Sequence, residues 1–218
     1  MPVAIKFCGL TRADDAAAAV ELGAAYLGVI FAGGPRMLDV HRARDVFAPT
    51  DGTAVSRVGV FGTQPIDEIV RLADELMLDV VQLHAERTPT EVAHVSRKAG
   101  YDVWAVARIA GAQLPDGLDE MFAHAQGVVL DSRVPDALGG SGTSFDWNAV
   151  RERIARPRDA RHVILAGGLT PENVRDGIDI LRPDVVDVSS GVEARVGEKD
   201  HSRMAAFVRA AWSIPDES

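Results

Sequence analysis

The only cysteine of the 218-residue chain, Cys8, combines reactive chemistry with a special position. It ends the first apolar run and is followed by Gly9 and a stretch with the composition of a helix start. Cys8 therefore lies where a strand gives way to a helix, at the rim where ligands of α/β proteins collect. Free cysteine is otherwise usually a small buried hydrophobe. The residue is either core filler or a reactive thiol.

A carboxylate closes the sixth apolar run of the chain. Asp131 ends the segment 127–131, and the following stretch 132–144 contains Gly139-Gly140-Ser141-Gly142. An acid at the end of an otherwise apolar strand either caps the next loop or takes part in proton chemistry. A loop of this length and glycine content is typical of a lid or a ligand cradle.

Three further polar residues follow apolar runs. Arg36 stands after Gly33-Gly34-Pro35, a sequence that breaks any helix, so it is either a solvated charge or a bidentate clamp for a carboxylate or phosphate. Period-two alternation places Gln82 and His84 on one face, where His84 is either a hydrogen-bonded framework residue or part of a site. The role of Arg108, at the end of the fifth run, is undecided between the same two interpretations.

Two turns of small residues follow the seventh and eighth runs. Gly167-Gly168 precedes Thr170-Pro171, which predicts a helix start with Thr170 as N-cap, and Ser189-Ser190-Gly191 follows the eighth run. Phosphate sites of eight-stranded barrels are built from the loops in these two positions. The alternative is a pair of ordinary tight turns.

Short apolar runs alternate with longer amphipathic segments along the whole chain, which is the pattern of a parallel sheet with crossover helices. The sequence contains about eight such units, the number that closes a (β/α)8 TIM barrel. No linker interrupts the alternation, so we expect one domain over residues 1–218. The predicted strands are 3–8, 26–31, 55–61, 79–83, 102–109, 127–131, 162–166 and 185–189.

The composition of the chain argues against some classes of binding partner and indicates its cellular compartment. The formal net charge of −9 weighs against a nucleic-acid binder, which normally presents a basic face. A single cysteine permits no internal disulfide, in agreement with a reducing cytoplasm. No apolar run approaches the length needed to cross a membrane, and the first residues do not resemble a secretory signal. We therefore expect a cytoplasmic protein.

Several ordered motifs resemble the phosphoribosylanthranilate isomerase family of tryptophan biosynthesis, nearly from end to end. Lys6-Phe7-Cys8-Gly9-Leu10-Thr11 is similar to the family's opening motif, and Gln82-Leu83-His84 to its fourth-strand motif. The segments 130–132 and 139–147 resemble its Leu-Asp-Ser and Gly-Gly-Thr-Gly-x-x-Phe-Asp-Trp signatures. The segments 165–174, 187–193 and 197–200 resemble its last loops and final helix start.

The resemblance implies an Amadori rearrangement of a phosphorylated aminoaldose, with no cofactor and no metal. Such a reaction needs a base for the C2′ proton and an acid for the departing ring oxygen, and these roles fall on Cys8 and Asp131. Arg36 would hold the anthranilate carboxylate. The remaining substrate-binding positions are expected to be His84, Gly140, Gly142, Gly167, Gly168, Ser190 and Gly191, the last four of them near the phosphate.

The residues also allow predictions about the environment of these groups. If Cys8 points into the barrel, alternation puts Lys6 on the same face, where a cation favours the thiolate. Strands one and eight are neighbours in a closed barrel, so we expect a Lys6–Asp187 ion pair. Asp131 must hold a proton near neutral pH, and desolvation under the glycine-rich loop would raise its pKa.

Two other functions remain open at this level. A histidine-pathway aminoaldose isomerase has a similar fold and reaction but generally carries an aspartate where Cys8 stands. A barrel that only binds a phosphorylated ligand is the second, because fold does not prove activity. The chain also departs from the resembled family in Gly34 before Pro35-Arg36, in Ala85 and in Ser141. Its partners are expected to be a small phosphorylated substrate and, at most, a second copy, as a monomer or homodimer.

Overall fold

Eight short parallel strands close into a barrel in sequence order, and helices connect them on the outside. This is the architecture of a computed structural model that describes residues 2–85, 87–98, 100–132, 145–154 and 162–213. The barrel strands are β1 (Ala4–Phe7), β2 (Tyr26–Ile30), β3 (Ser56–Phe61), β4 (Val80–Leu83), β5 (Asp102–Ile109), β6 (Gly127–Ser132), β7 (His162–Leu165) and β8 (Val185–Val188). The predicted (β/α)8 TIM barrel is confirmed, and each predicted run corresponds to one strand, although β6 extends one residue past its run to Ser132.

The helices alternate with the strands. They are α1 (Ala13–Glu21), α2 (Val40–Phe47), α3 (Ile66–Leu76), α4 (Pro89–Lys98), α5 (Leu118–His124), α6 (Trp147–Ile154), α7 (Val174–Leu181) and α8 (His201–Trp212). A short antiparallel hairpin, β9 (Glu193–Arg195) and β10 (Glu198–Lys199), stands between β8 and α8. None of the helices within the described ranges has the length and apolar character that crossing a bilayer requires.

Barrel closure depends on the pairing of β1 with β8. Their register places Ala4 opposite Val185 and Lys6 opposite Asp187. On the other side, β1 pairs with β2, where Lys6 lies opposite Tyr26. The first and last strands of the chain are therefore brought together, and their inward-facing residues share one region of the barrel interior.

The barrel interior is apolar at one end and polar at the other. Near the amino ends of the strands, the edge of the Tyr26 ring meets the fully buried Trp104 at 5.0 Å between centroids. An apolar cluster surrounds them, formed by Val58, Val80, Val106, Val129, Ile164, Ala166 and Val185. Inward positions recur every second residue. The next inward position along six of the strands, towards the carboxyl end, is occupied by a polar residue or glycine. These residues are Lys6, Gly28, Gln82, Arg108, Asp131 and Asp187.

A separate and larger core lies between the strands and the helices. Outward-facing strand residues such as Phe7, Leu27 and Leu130 are completely buried there. Helix ends are secured locally, as where the Asp200 carboxylate accepts the backbone N–H groups of the first turn of α8. This packing fixes the positions of the carboxyl ends of the strands. The polar side chains at those ends are therefore held in fixed positions relative to one another.

Candidate active site

One cavity opens at the carboxyl end of the barrel, and most of the predicted site residues line it. Residues from β4, β6 and β8 and from the segments after β1, β2, β4, β7 and β8 meet there. Its predicted members are Cys8, Arg36, His84, Asp131, Gly167, Gly168, Asp187, Ser190 and Gly191. Lys6 lies beneath this cavity, and the predicted contacts Gly140 and Gly142 lie outside the described residues.

A buried ion pair forms the floor of the site. Lys6 is completely buried, and its Nζ donates to Asp187 Oδ2 at 2.8 Å. Burial alone would lower the pKa of Lys6, but the negative charge of Asp187 and, when it is ionised, that of Cys8 outweigh burial, so the pKa of Lys6 is raised. The predicted Lys6–Asp187 ion pair is confirmed, and Lys6 carries its charge throughout the physiological range.

Cys8 is buried beside this pair, one residue beyond β1. A Cβ built on Gly28 of β2 would stand 3.0 Å from Cys8 Sγ and 3.2 Å from Lys6 Nζ, so the absence of a side chain at Gly28 leaves room for both groups. Burial raises the pKa of the Cys8 thiol, and the opposing effect of Lys6 is smaller. The prediction that Lys6 favours the thiolate is confirmed in direction, but burial has the larger effect and the net pKa of Cys8 is raised.

The pKa of Asp131 is shifted in the direction expected of a general acid. Burial raises the pKa of its carboxyl, and the negative charge of Asp187 adds to the effect, whereas Arg108 and Lys6 act against it. The net pKa of Asp131 is raised, which confirms the predicted direction. The glycine-rich loop that was expected to supply the desolvation lies outside the described residues from position 133.

Arg108 joins Asp131 to His84. Its Nη1 donates to Asp131 Oδ2 at 3.2 Å, and its Nη2 contacts His84 Nε2 at 2.6 Å and the His84 carbonyl at 3.3 Å. Burial, followed by the charges of Arg108 and Lys6, lowers the pKa of His84 to about 4. His84 is therefore neutral at pH 7. Sequence reasoning left Arg108 undecided, although its position at a strand end was the available signal.

Arg36 lies in the cavity wall and already has a partner. Its Nε and Nη2 donate to the two carboxylate oxygens of Glu193 at 2.7 and 2.6 Å. Glu193 is also bound at 3.1 Å by Nζ of Lys199, whose side chain is fully buried. A guanidinium presents five N–H groups on two usable edges. The Nη1 edge of Arg36 has no partner among the described residues, so a second carboxylate can still be bound there.

The turns after β7 and β8 adjoin each other at the cavity. Gly167 and Gly168 both have positive φ, 79° and 71°, which favours glycine. The predicted N-cap at Thr170 is wrong, because α7 begins at Val174 with Asn173 as its N-cap. The Asn173 side chain accepts from Thr170 N and donates to the Gly168 carbonyl, and these bonds hold residues 170–173 in a turn instead.

Three buried polar atoms around the site have no hydrogen-bond partner in the described part of the chain. They are Gln82 Oε1, His84 Nδ1 and Asp187 Oδ1, and all three residues line the cavity. Gln82 was placed on the correct face by strand alternation, but no motif marked its role. Within the same described ranges, no group of His, Cys, Asp and Glu side chains is arranged to hold a metal ion.

The chain is similar to known proteins of one family. The family model described as N-(5'phosphoribosyl)anthranilate (PRA) isomerase matches residues 5–210. An N-(5'-phosphoribosyl)anthranilate isomerase from Pseudomonas fluorescens is 40% identical over 206 residues, covering 94% of this chain and 96% of the relative. The corresponding protein from Ralstonia nicotianae is 39% identical over 212 residues, covering 94% and 91%.

Solved structures show the same fold. The phosphoribosyl anthranilate isomerase of Thermotoga maritima superposes with a TM-score of 0.83 at 33% identity, covering 96% of this chain and 98% of that one. A phosphoribosyl anthranilate isomerase in complex with reduced 1-(o-carboxyphenylamino)-1-deoxyribulose 5-phosphate superposes with a TM-score of 0.80 at 31% identity and the same coverage. By the family match and by these relatives, the chain belongs to the N-(5'-phosphoribosyl)anthranilate isomerase family.

Proposed function

We propose that Cys8 and Asp131 are the general base and general acid with which this chain carries out its family's reaction. That reaction isomerises N-(5-phosphoribosyl)anthranilate to 1-(2-carboxyphenylamino)-1-deoxyribulose 5-phosphate in tryptophan biosynthesis. One observation carries the assignment. The Cys8 thiol, one residue beyond β1, and the Asp131 carboxyl on β6, with its raised pKa, line the same cavity, and these two strands do not pair with each other. A substrate between them can exchange protons on two sides.

The raised pKa of Asp131 suits the first step. A raised pKa increases the protonated fraction of the carboxyl, and the protonated form can donate to the furanose ring oxygen as the C1′–O bond breaks. The nitrogen lone pair then forms a C1′=N double bond, and Asp131 is left as a carboxylate. The positive charges of Arg108 and Lys6, which oppose protonation in the starting state, stabilise that carboxylate once it forms.

Cys8 takes the C2′ proton in the second step. The electrons of the C2′–H bond form C1′=C2′, and those of C1′=N return to nitrogen, which gives an enolamine. A raised pKa makes the Cys8 thiolate scarcer but also a stronger base toward carbon, and Lys6 stabilises the anion from the floor of the site. Ketonisation adds a proton at C1′ and releases one from the 2′-hydroxyl, so the reaction neither consumes nor produces protons.

The two ends of the substrate have separate positions in this proposal. The free Nη1 edge of Arg36 binds the anthranilate carboxylate, while Glu193 holds the other edge and fixes the guanidinium plane. The phosphate lies against the turns that contain Gly167, Gly168, Ser190 and Gly191, which line the cavity after β7 and β8. For His84, only Nδ1 is left for the substrate, because Nε2 meets Arg108.

We also propose that the chain acts as one barrel domain in the cytoplasm, as a monomer or a homodimer. The single cysteine supports a reducing compartment. A Thermotoga maritima relative is described as monomers generated from a dimeric phosphoribosylanthranilate isomerase, so both states occur with this fold. The relatives reported above are named for the anthranilate substrate, which argues against the histidine-pathway alternative.

The assignment of Cys8 and Asp131 is tested with a fluorescence assay. The substrate is made in situ from anthranilate and phosphoribosyl pyrophosphate, and the decay of its fluorescence measures turnover. Cys8→Ser and Asp131→Asn should each lower kcat by roughly a hundredfold or more, because each removes one proton-transfer group. Asp14→Asn, at a side chain that is 82% exposed, is the matched control and should retain full activity. Thermal melts of all four proteins establish that they are folded. Near-normal turnover by either site variant would remove that residue from its role.

A further inference from the structure

Arg108 makes three polar contacts at once, and each constrains where a proton can lie. A guanidinium only donates hydrogen bonds, so every atom that it contacts at hydrogen-bond distance must accept. The acceptors are Asp131 Oδ2 at 3.2 Å, His84 Nε2 at 2.6 Å and the His84 carbonyl at 3.3 Å. Arg108 stands directly opposite Asp131 in the register of β5 and β6, which holds the two side chains together.

The His84 contact determines the tautomer of the imidazole. Nε2 must offer its lone pair to Arg108, so the proton of the neutral ring belongs on Nδ1. The charged groups that face the ring are Arg108 on β5 and Lys6 on β1, both positive, and both oppose a second ring proton. Nδ1 is also the ring atom that has no partner among the described residues. The ring therefore presents an unused N–H in the cavity wall.

The Asp131 contact distinguishes the two oxygens of the carboxyl. Oδ2 accepts from the charged Arg108, whereas Oδ1 lies on the side of Gly167, where a built Cβ would approach it to 2.7 Å. The other charged groups that face the carboxyl are Lys6 on β1 and Asp187 on β8, and the Ser132 N–H is the remaining donor beside it. In a protonated carboxyl the carbonyl oxygen is the better acceptor, so the acid proton belongs on the other oxygen.

We propose that Arg108 is a positioning residue that assigns two protons in the site, placing the proton of Asp131 on Oδ1 beside Gly167 and that of His84 on Nδ1. Because Gly167 lines the cavity, the acid proton then faces the substrate rather than the β5 side of the barrel. The part that concerns Asp131 rests on the proposed function, since it presumes that this carboxyl is the acid. The part that concerns His84 does not.

The first test measures the His84 tautomer without any turnover. In protein labelled with 15N-histidine, the His84 signals are assigned by their loss in His84→Asn, and the tautomer follows from the two ring-nitrogen shifts at pH 7. The wild type should show the Nδ1–H tautomer and resist protonation down to about pH 4. Arg108→Met should shift the ring toward Nε2–H and raise its pKa toward 6.5. Arg44→Met, at an exposed arginine on α2, should change neither.

The second test measures what Arg108 does for the acid. Arg108→Met should lower kcat roughly tenfold with KM changed by less than about threefold, because a carboxyl free to turn is less often aligned with the ring oxygen. Arg108→Lys keeps the charge but cannot span both partners, so it should restore only part of kcat. Thermal melts control for folding.

Three results would overturn the proposal. An Nε2–H tautomer in the wild type, or a tautomer unchanged in Arg108→Met, refutes the part that concerns His84. An unchanged kcat in Arg108→Met refutes the part that concerns Asp131. A wild-type protein without isomerase activity would instead contradict the proposed function, and the 15N measurement would still decide the tautomer.

Discussion

Replacing Asp187 by asparagine tests the energetics of the buried floor of the site. Asn keeps the shape of Asp but removes the charge that pairs with the fully buried Lys6. An unpaired buried lysine can escape the cost of burying its charge by losing its proton, which sets an upper limit on the penalty. At pH 7.5 the limit is about 3 pKa units below the ordinary value of 10.5, or about 4 kcal/mol of unfolding free energy.

The same reasoning predicts how the penalty depends on pH. In the wild type the folded-state pKa of Lys6 is raised, so the stability from its pairing is fully present below pH 10.5 and is lost only at higher pH. In Asp187→Asn the folded chain holds neutral Lys6, while the unfolded chain binds the proton. The variant's stability should therefore rise by about 1.4 kcal/mol per pH unit, and the gap to the wild type should shrink to about 2 kcal/mol at pH 9.

Urea unfolding between pH 7 and 9 measures this gap. Every protein in the series carries Cys8→Ser, so that titration of the thiol does not contribute. The matched control is Lys6→Met combined with Asp187→Asn, which contains no lysine to neutralise and should show a gap that does not change with pH. A gap below about 1 kcal/mol at pH 7.5, or one that is constant across the range in Asp187→Asn, would show that the pair is not buried as described.

Three further substitutions probe the space and charge around the reacting groups. Gly28→Ala puts a methyl 3.0 Å from Cys8 Sγ, and it should lower kcat several-fold by displacing the thiol while costing about 1–3 kcal/mol of stability, measured by kinetics and urea unfolding. In Gly167→Ala the alanine would have to adopt a positive φ, and its methyl would lie 2.7 Å from Asp131 Oδ1, so the variant should have a lower kcat and lower thermal stability. A fully active variant would contradict the position of the carboxyl. Arg36→Ala should raise KM roughly tenfold or more with a smaller effect on kcat, since a charged hydrogen bond contributes about 1.5–3 kcal/mol, and an unchanged KM would refute the carboxylate contact.

The features that could be predicted from the sequence depend on the spacing of apolar residues along the chain and on which strands are adjacent in the barrel. Eight apolar runs at regular spacing predicted the barrel, and the structure places one strand in each run. The Lys6–Asp187 pair followed from two simple facts, that alternate residues share a face and that the first and last strands of a closed barrel pair. The direction of the pKa shift of Asp131 was predicted from desolvation, which is its largest cause, whereas the contribution of Asp187 was not foreseen.

The features that escaped prediction depend on magnitudes or on contacts between distant loops. The pKa of Cys8 is set by two opposing effects, and the residue pattern shows their signs but not which is larger. The Arg36–Glu193 contact joins residues 157 positions apart, through a short hairpin that no periodicity marks. The contacts of Arg108 depend on the register between β5 and β6, which a sequence read one strand at a time does not determine.

The closure of the barrel through β1 and β8 has a consequence for how the molecule is made. Lys6 and Asp187 are 181 residues apart, so a ribosome making about 5–20 residues per second completes the anion on the order of 10–40 s after the cation. During that interval the amino-terminal strand carries a charge that cannot be buried alone without a penalty of several kcal/mol. A growing half-barrel is therefore discouraged from packing prematurely around this strand. The floor of the site can therefore form only after β8 has been synthesised, late in the production of the chain.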